Sequence, residues 1–143
     1  MNQFVATRAF IVNEEGKVLI IREAPEYEGG TQIGKYDLPG GKIKPGESAV
    51  EAAKREAKEE VGLDVAVGRP FFVSEWYPEI KGETIQIVGI FFKCTTDKTE
   101  VVLSGDHDDF QWIDPAEHEQ YEIMTENLGA FEVYRNNRSH THT

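Results

Sequence analysis

Residues 38 to 63 constrain the fold of this chain more than any other stretch. Leu38-Pro39-Gly40-Gly41 and Pro45-Gly46 are strong breakers, and a run rich in Ala, Glu and Lys follows them at Ser48 to Val61. Ser48 is suited to cap a helix over that run. Glu51 stands three residues later as its capping-box partner, and Gly62 is placed to stop the helix. The chain is therefore expected to enter one well-defined helix through a glycine-rich loop.

That helix breaks the usual segregation of charge. At about 100° per residue, Ala49, Val50, Ala53, Ala57 and Val61 share one face, and Glu51, Lys54 and Lys58 fall opposite. Glu60 projects on the apolar side, between Ala49 and Ala53, while Glu56 and Glu59 flank Ala52. Three carboxylates thus line one margin of the buried face. Like charges at that spacing repel, and partial burial raises the cost. A hard divalent cation such as Mg²⁺ relieves both through oxygen ligands, which helical spacings of three and four bring together. The same residues also fit a solvated acidic face with Glu51–Arg55 and Arg55–Glu59 pairs. The preceding loop favours the metal, because its glycines allow close backbone approach and a helix N-terminus attracts anions. Glu47 can reach the same cluster from that loop. A metal-bridged pyrophosphate suits such a site.

The rest of the chain reads as strands and one more helix. Phe4–Val12 and Lys17–Arg22 form an expected hairpin around the turn Asn13-Glu14-Glu15-Gly16. A polar loop covers residues 23 to 35, and a short strand is expected at Tyr36–Leu38. Further strands are expected at Leu63–Val67, Pro70–Trp76, Thr84–Cys94 and Asp108–Ile113. Met124, Leu128, Phe131 and Tyr134 mark a closing helix over Met124–Arg135. This order suggests a sheet packed between helices. At 143 residues the chain fits one domain, taken as residues 1 to 138 with a disordered polar tail at 139 to 143.

A net charge of -11 argues against nucleic acid as a partner, since phosphate backbones call for clustered Lys and Arg. It also means that a phosphorylated substrate needs cations to offset the site's own carboxylates; the alternative reading of the charge is solubility. Cys94, the only cysteine, lies in an apolar stretch and reads as a structural thiol. No apolar run has membrane-spanning length and the start lacks a signal-peptide pattern, so a membrane is not expected and the cytoplasm is.

The spacing from Gly41 to Leu63 resembles the box of the Nudix hydrolases. That box is Gly, five residues, Glu, seven residues, then Arg-Glu-apolar-any-Glu-Glu-any-Gly-apolar. Gly41, Glu47, Arg55, Glu56, Ala57, Glu59, Glu60, Gly62 and Leu63 match it, with Ala57 a small version of the apolar position. Leu38-Pro39-Gly40 is the family's usual lead-in, Tyr36 stands where an aromatic is common, and Asp106–Ile113 with Trp112 resembles a later strand. The resemblance implies an α/β/α sandwich around a mixed β-sheet. It implies hydrolysis of a nucleoside diphosphate linked to another moiety, by water attack on phosphorus, with Mg²⁺ or Mn²⁺. Carried over by position, Glu56, Glu59 and Glu60 are metal ligands, Glu47 and the Gly41 carbonyl complete the shell, and Arg55 orients the glutamates. Glu59 or Glu60 is a candidate general base, with Asp106, His107, Asp108 and Glu75 as outside candidates.

Substrate choice lies outside the box. Arg8 and Arg22 are candidate contacts to base or phosphate, and Tyr27, Tyr36, Trp76, Tyr77 and Phe110 are candidate aromatic contacts. Pro78, about 15 residues beyond the box, matches a feature of members that cleave ADP-ribose, while the short chain equally resembles MutT-like enzymes acting on nucleoside triphosphates, including oxidised ones. Gly29 to Lys35 imitates a phosphate-binding P-loop but lacks its Ser or Thr, its strand and its helix. The expected partner is a small nucleotide, and a homodimer is compatible with such a chain. The rival function is a non-catalytic nucleotide-sensing module, although such modules usually lose the box glutamates kept here.

Overall fold

Two apolar strands with side chains buried on both faces set the layers of this protein. The computed structural model describes residues 1–25 and 31–141, with side chains to residue 137. In chain order the elements are β1 (Asn2–Val12), β2 (Val18–Glu23), β3 (Tyr36–Asp37), β4 (Gly40–Lys42), α1 (Ala49–Val61), β5 (Ala66–Trp76), β6 (Glu79–Ile80), β7 (Glu83–Thr95), β8 (His107–Ile113) and α2 (Leu128–Thr141). Short 3-10 turns stand at Pro115–Gln120 and Thr125–Asn127. Ala9, Ile11, Leu19 and Ile21 face Ala53, Ala57 and Val61 of α1. The alternate residues Phe10, Val18 and Ile20 face Ala130, Phe131 and Tyr134 of α2. Period-two alternation thus feeds two apolar cores, one on each side of the sheet. The result is the expected α/β/α sandwich.

The sheet runs β3-β2-β1-β7-β5, with β4 on β1, β8 on β2 and β6 on β7. β1 and β7 are parallel, from Asn2 beside Ile85 to Val12 beside Thr95, and the other pairings are antiparallel, so the sheet is mixed. The expected β1–β2 hairpin exists at its base. Asn13 Oδ1 accepts from the backbone N–H groups of Glu15 and Lys17 at 3.0 and 2.9 Å, but the strands pair only at Val12 and Val18. Beyond that point β1 is paired with β7 and β4, and β2 with β8 and β3. The two strands expected at 63–67 and 70–76 are one, β5, whose ladder with β7 breaks register between Val67 and Phe72.

α1 forms as its termini dictate. Ser48 Oγ accepts from Glu51 N–H, Glu51 returns a bond to the Ser48 N–H, and Gly62 closes the helix at φ 72°. The buried face differs from the expected one. Ala52, Ala53, Ala57 and Val61 are buried, whereas Val50 is 41% exposed. The face has rotated toward β4, which brings Glu56 and Glu60 inward. The closing helix begins later than expected, at Leu128, because Thr125–Asn127 is a 3-10 turn, and it runs to Thr141, over part of the expected tail; residues 142 and 143 lie outside the described residues. So do Tyr27 and the first glycines of the P-loop look-alike. No helix among the described residues is long and apolar enough to cross a membrane.

Candidate active site

The site begins where β4 meets β1. Gly40–Lys42 read as a breaker in the sequence, yet it pairs antiparallel with Ala6–Arg8. Glycine permits this: a Cβ on Gly40 would lie 2.0 Å from the Thr7 carbonyl oxygen. A Cβ on Gly41 would lie 2.5 Å from Glu56 Oε1, so the Glu56 carboxylate rests directly against this backbone. The neighbouring Gly40 N–H donates to Glu60 Oε1 at 2.8 Å. Two helix glutamates and the glycine turn are therefore brought together as the sequence implied.

Arg55 organises the remaining carboxylates. Its Nε and Nη2 donate to Glu47 Oε2 and Oε1 at 2.7 and 2.9 Å, a two-pronged contact. Nη1 donates to Glu56 Oε1 at 2.8 Å and to Glu59 Oε2 at 3.2 Å, and Nη2 also reaches the Lys42 carbonyl at 3.2 Å. The glutamates are thus drawn to the guanidinium. Among the described residues no three carboxylate, imidazole or thiol groups converge as a ready-made cage.

The electrostatics divide these groups. Hydrogen bonds from Arg55 hold the Glu47 carboxyl down at about 2. Burial pushes Glu60 up to about 8, and nearby Glu56 adds to this against the opposing Gly40 N–H. Burial also raises Glu56, against the pull of Arg55. Glu56 and Glu60 are thus oxygen donors whose ionised form the fold leaves under-compensated. A hard divalent cation fits that donor set.

A cleft of about 250 Å³ opens beside Gly40, Gly41 and Glu60. Of the expected substrate contacts, Arg8 and Trp76 line it. Arg8 Nη1 donates to the Thr7 carbonyl at 2.9 Å, its guanidinium carbon lies 5.2 Å from the centre of the Trp76 ring, and its Nε is 3.3 Å from Asp37 Oδ1. That buried Nε makes no hydrogen bond among the described residues. Arg22 and Tyr36 do not line the cleft: Arg22 Nε pairs with Asp108 Oδ1 at 2.8 Å, and the Tyr36 hydroxyl donates to Asp109 Oδ2 at 2.5 Å. Of the outside candidates for a base, His107 lines the cleft, with burial lowering its imidazole and, among the described residues, no hydrogen-bond partner for its buried Nδ1. Asp108 is taken by Arg22, the Asp106 carbonyl accepts from Ala24 N–H, and Glu75 is exposed beside the Tyr77 hydroxyl. Phe110 packs in the core under α1. Sequence reasoning missed Asp37, Gln32, Lys42 and Glu126 on the cleft wall. Asp37 could have been found from its position beside the Pro-Gly-Gly lead-in, whereas Gln32 and Glu126 carry no periodic or motif signal.

Residues 2–136 match the NUDIX domain family. The chain belongs to that family. As a Nudix hydrolase it is an enzyme acting on pyrophosphate linkages of nucleotide substrates, in a family that uses divalent metal ions. It is 25% identical to the nucleoside triphosphatase NudI of Klebsiella pneumoniae over 123 residues, covering 79% of this chain and 84% of that protein. It is 26% identical to the CTP pyrophosphohydrolase of Escherichia coli over 126 residues, covering 88% and 87%. The crystal structure of a MutT protein from Methanosarcina mazei superposes with a TM-score of 0.81 at 27% identity, covering 95% of this chain and 96% of that one.

Proposed function

We propose that this Nudix hydrolase cleaves the pyrophosphate bond of a nucleoside triphosphate at the Gly40–Glu60 end of its cleft, with Mg²⁺ as the preferred cation and Mn²⁺ as a substitute. The observation that carries this reading is the position of Glu56 and Glu60. Both are half-buried and under-compensated, and they abut the glycine turn at the mouth of a cleft floored by Arg8. Glu56, Glu59, Glu60, the Gly41 carbonyl and Glu47 would hold the cation. When bound, it supplies charge neutralisation on the phosphate oxygens and a more acidic water.

The chain's own groups do the remaining work. Arg55 holds Glu47, Glu56 and Glu59 in place by charge-assisted hydrogen bonds. Arg8, whose buried Nε makes no hydrogen bond among the described residues and lies 3.3 Å from Asp37 Oδ1, meets phosphate charge that grows as the bond to the leaving group breaks. Glu59 or Glu60 is the group assigned to take the water's proton; Asp108 and Glu75 face other partners, and of the outside candidates His107 lines the cleft. Arg22 and Tyr36 are assigned to supporting the strands beneath the site. The names of the relatives favour a nucleoside triphosphate over ADP-ribose, although Pro78 does line the cleft. The reading includes one domain over residues 1 to 138, a cytoplasmic setting and a small nucleotide as partner, with a homodimer compatible.

The test is phosphate or pyrophosphate release from a panel of nucleoside triphosphates, oxidised forms and ADP-ribose with Mg²⁺, with Glu59→Gln and Glu60→Gln as controls. Turnover of a triphosphate that both variants cut by at least about a hundredfold is the expected result. Binding without turnover of any member would establish the sensing module instead.

A further inference from the structure

The cleft does not end at the glutamate site. Gln32, Trp76, Pro78 and Glu126 are shared with a second hollow, which reaches outward to Tyr77, Glu79 and Thr125 and which Glu60 does not line. The two ends differ in chemistry. The inner part holds the cations Arg8 and Lys42 beside Gly40, Gly41 and Glu60. The shared part has one apolar wall and one wall of acceptors. The apolar wall is the Trp76 indole with Pro78, and Ile80 lines the inner part alone. Trp76 is seated by Gly89, where a Cβ would lie 2.5 Å from the ring.

The acceptor wall is built, not incidental. Glu126 is half-buried, and both its oxygens accept from Gln32 Nε2 at 3.1 and 3.0 Å. Among the described residues no Lys, Arg or His pairs with it. Gln32 is fixed from its other side, because its backbone N–H donates to Oε1 of buried Glu23 at 3.0 Å. Glu126 itself sits on a pinned segment. Met124 N–H donates to the Tyr36 carbonyl at 2.9 Å, and fully buried Asn127 donates from Nδ2 to Asp37 Oδ1 at 2.9 Å. A carboxylate offers about four acceptor positions, of which Gln32 engages part. His107 also lines the inner cleft, with a buried Nδ1 that has no hydrogen-bond partner among the described residues.

We propose that Glu126, held by Gln32 in the hollow that Trp76 also lines, is a base-reading group that selects nucleobases carrying an exocyclic amine. The ring stacks on the indole and the amine donates to the carboxylate. A base with a carbonyl at that edge sets oxygen against oxygen and loses the contact. The orientation rests on the reading above, which places the phosphates at the Gly40–Glu60 end.

Matched bases test this. ATP and CTP carry an amine where ITP and UTP carry a carbonyl, and GTP carries an amine where ITP has only hydrogen. In the wild-type enzyme kcat/KM favours the amine-bearing member of at least one pair by about tenfold or more. Glu126→Gln, which keeps one oxygen for Gln32, reduces that ratio to within about twofold. Ratios within about twofold in every pair, or a ratio that Glu126→Gln leaves unchanged, overturn the proposal. A parallel calorimetric comparison of AMP and GMP with IMP, and of CMP with UMP, needs neither metal nor turnover. If no triphosphate is hydrolysed, the hydrolase reading fails, and the monophosphate affinities alone decide for or against the base-reading group by the same criteria.

Discussion

Replacing Glu60 with Gln tests the electrostatics of the site directly. Burial moves this carboxyl from its ordinary 4.5 to about 8. Above the ordinary value the unfolded chain has released the proton, while the folded chain keeps it until the pH nears the raised value. Stability from this group therefore falls as pH rises through that window. At about 1.4 kcal/mol per pH unit, the penalty relative to a neutral side chain grows from about 1 kcal/mol at pH ~5 to about 4 kcal/mol at pH ~8. Glutamine keeps an oxygen for the Gly40 N–H and cannot ionise. In metal-free buffer, denaturant unfolding across that range should show the variant gaining on wild type as pH increases, approaching that difference at the alkaline end. The same variant should lose the stabilisation that Mg²⁺ gives wild type, which at a hundredfold excess over Kd is about 2.7 kcal/mol. A wild-type-to-variant difference that stays constant with pH would refute the burial argument for Glu60.

Four other substitutions separate site from scaffold. Gly41→Ala meets only the flexible end of Glu56, so stability should change by about 1 kcal/mol or less while turnover falls about tenfold or more; Gly40→Ala meets the Thr7 backbone and should cost about 3 kcal/mol in chemical denaturation. Arg55→Lys exchanges a fork for a point charge, and steady-state assays should show activity down by about 10- to 100-fold, with Glu47 losing its paired contact. Ser48→Ala removes the α1 cap and should cost about 1 kcal/mol in a thermal melt with kcat unchanged.

What could be read from the sequence was what depends on near neighbours. Ser48, Glu51 and Gly62 signal α1 through bonds made within a few residues of each other, and the box spacing carries the glutamates to one margin of that helix. β4 escaped because two glycines after a proline look like a turn, and only the presence of Thr7 across the ladder makes them a strand. The face of α1 was read a step off because the helix pattern alone counts Val50 as apolar, while β4 draws Glu56 and Glu60 inward. Arg22 and Tyr36 are candidate substrate contacts by sequence, but Asp108 and Asp109, distant in the chain, hold them off the cleft lining. Gln32 and Glu126 lie 94 residues apart, and no local pattern could pair them.

Arg55 gives the site a resident counter-charge. It shares hydrogen bonds with Glu47, Glu56 and Glu59 in the protein as it stands. Zinc-dependent miniature domains unfold when stripped of their ion because metal binding supplies the free energy that folds them. Here the guanidinium is a positive partner built into the helix, on the same oxygens that the proposed function assigns to a cation. The fold can therefore form without a metal ion, since Glu47, Glu56 and Glu59 each already have one positive partner, and an ion would add stability to a structure that stands without it.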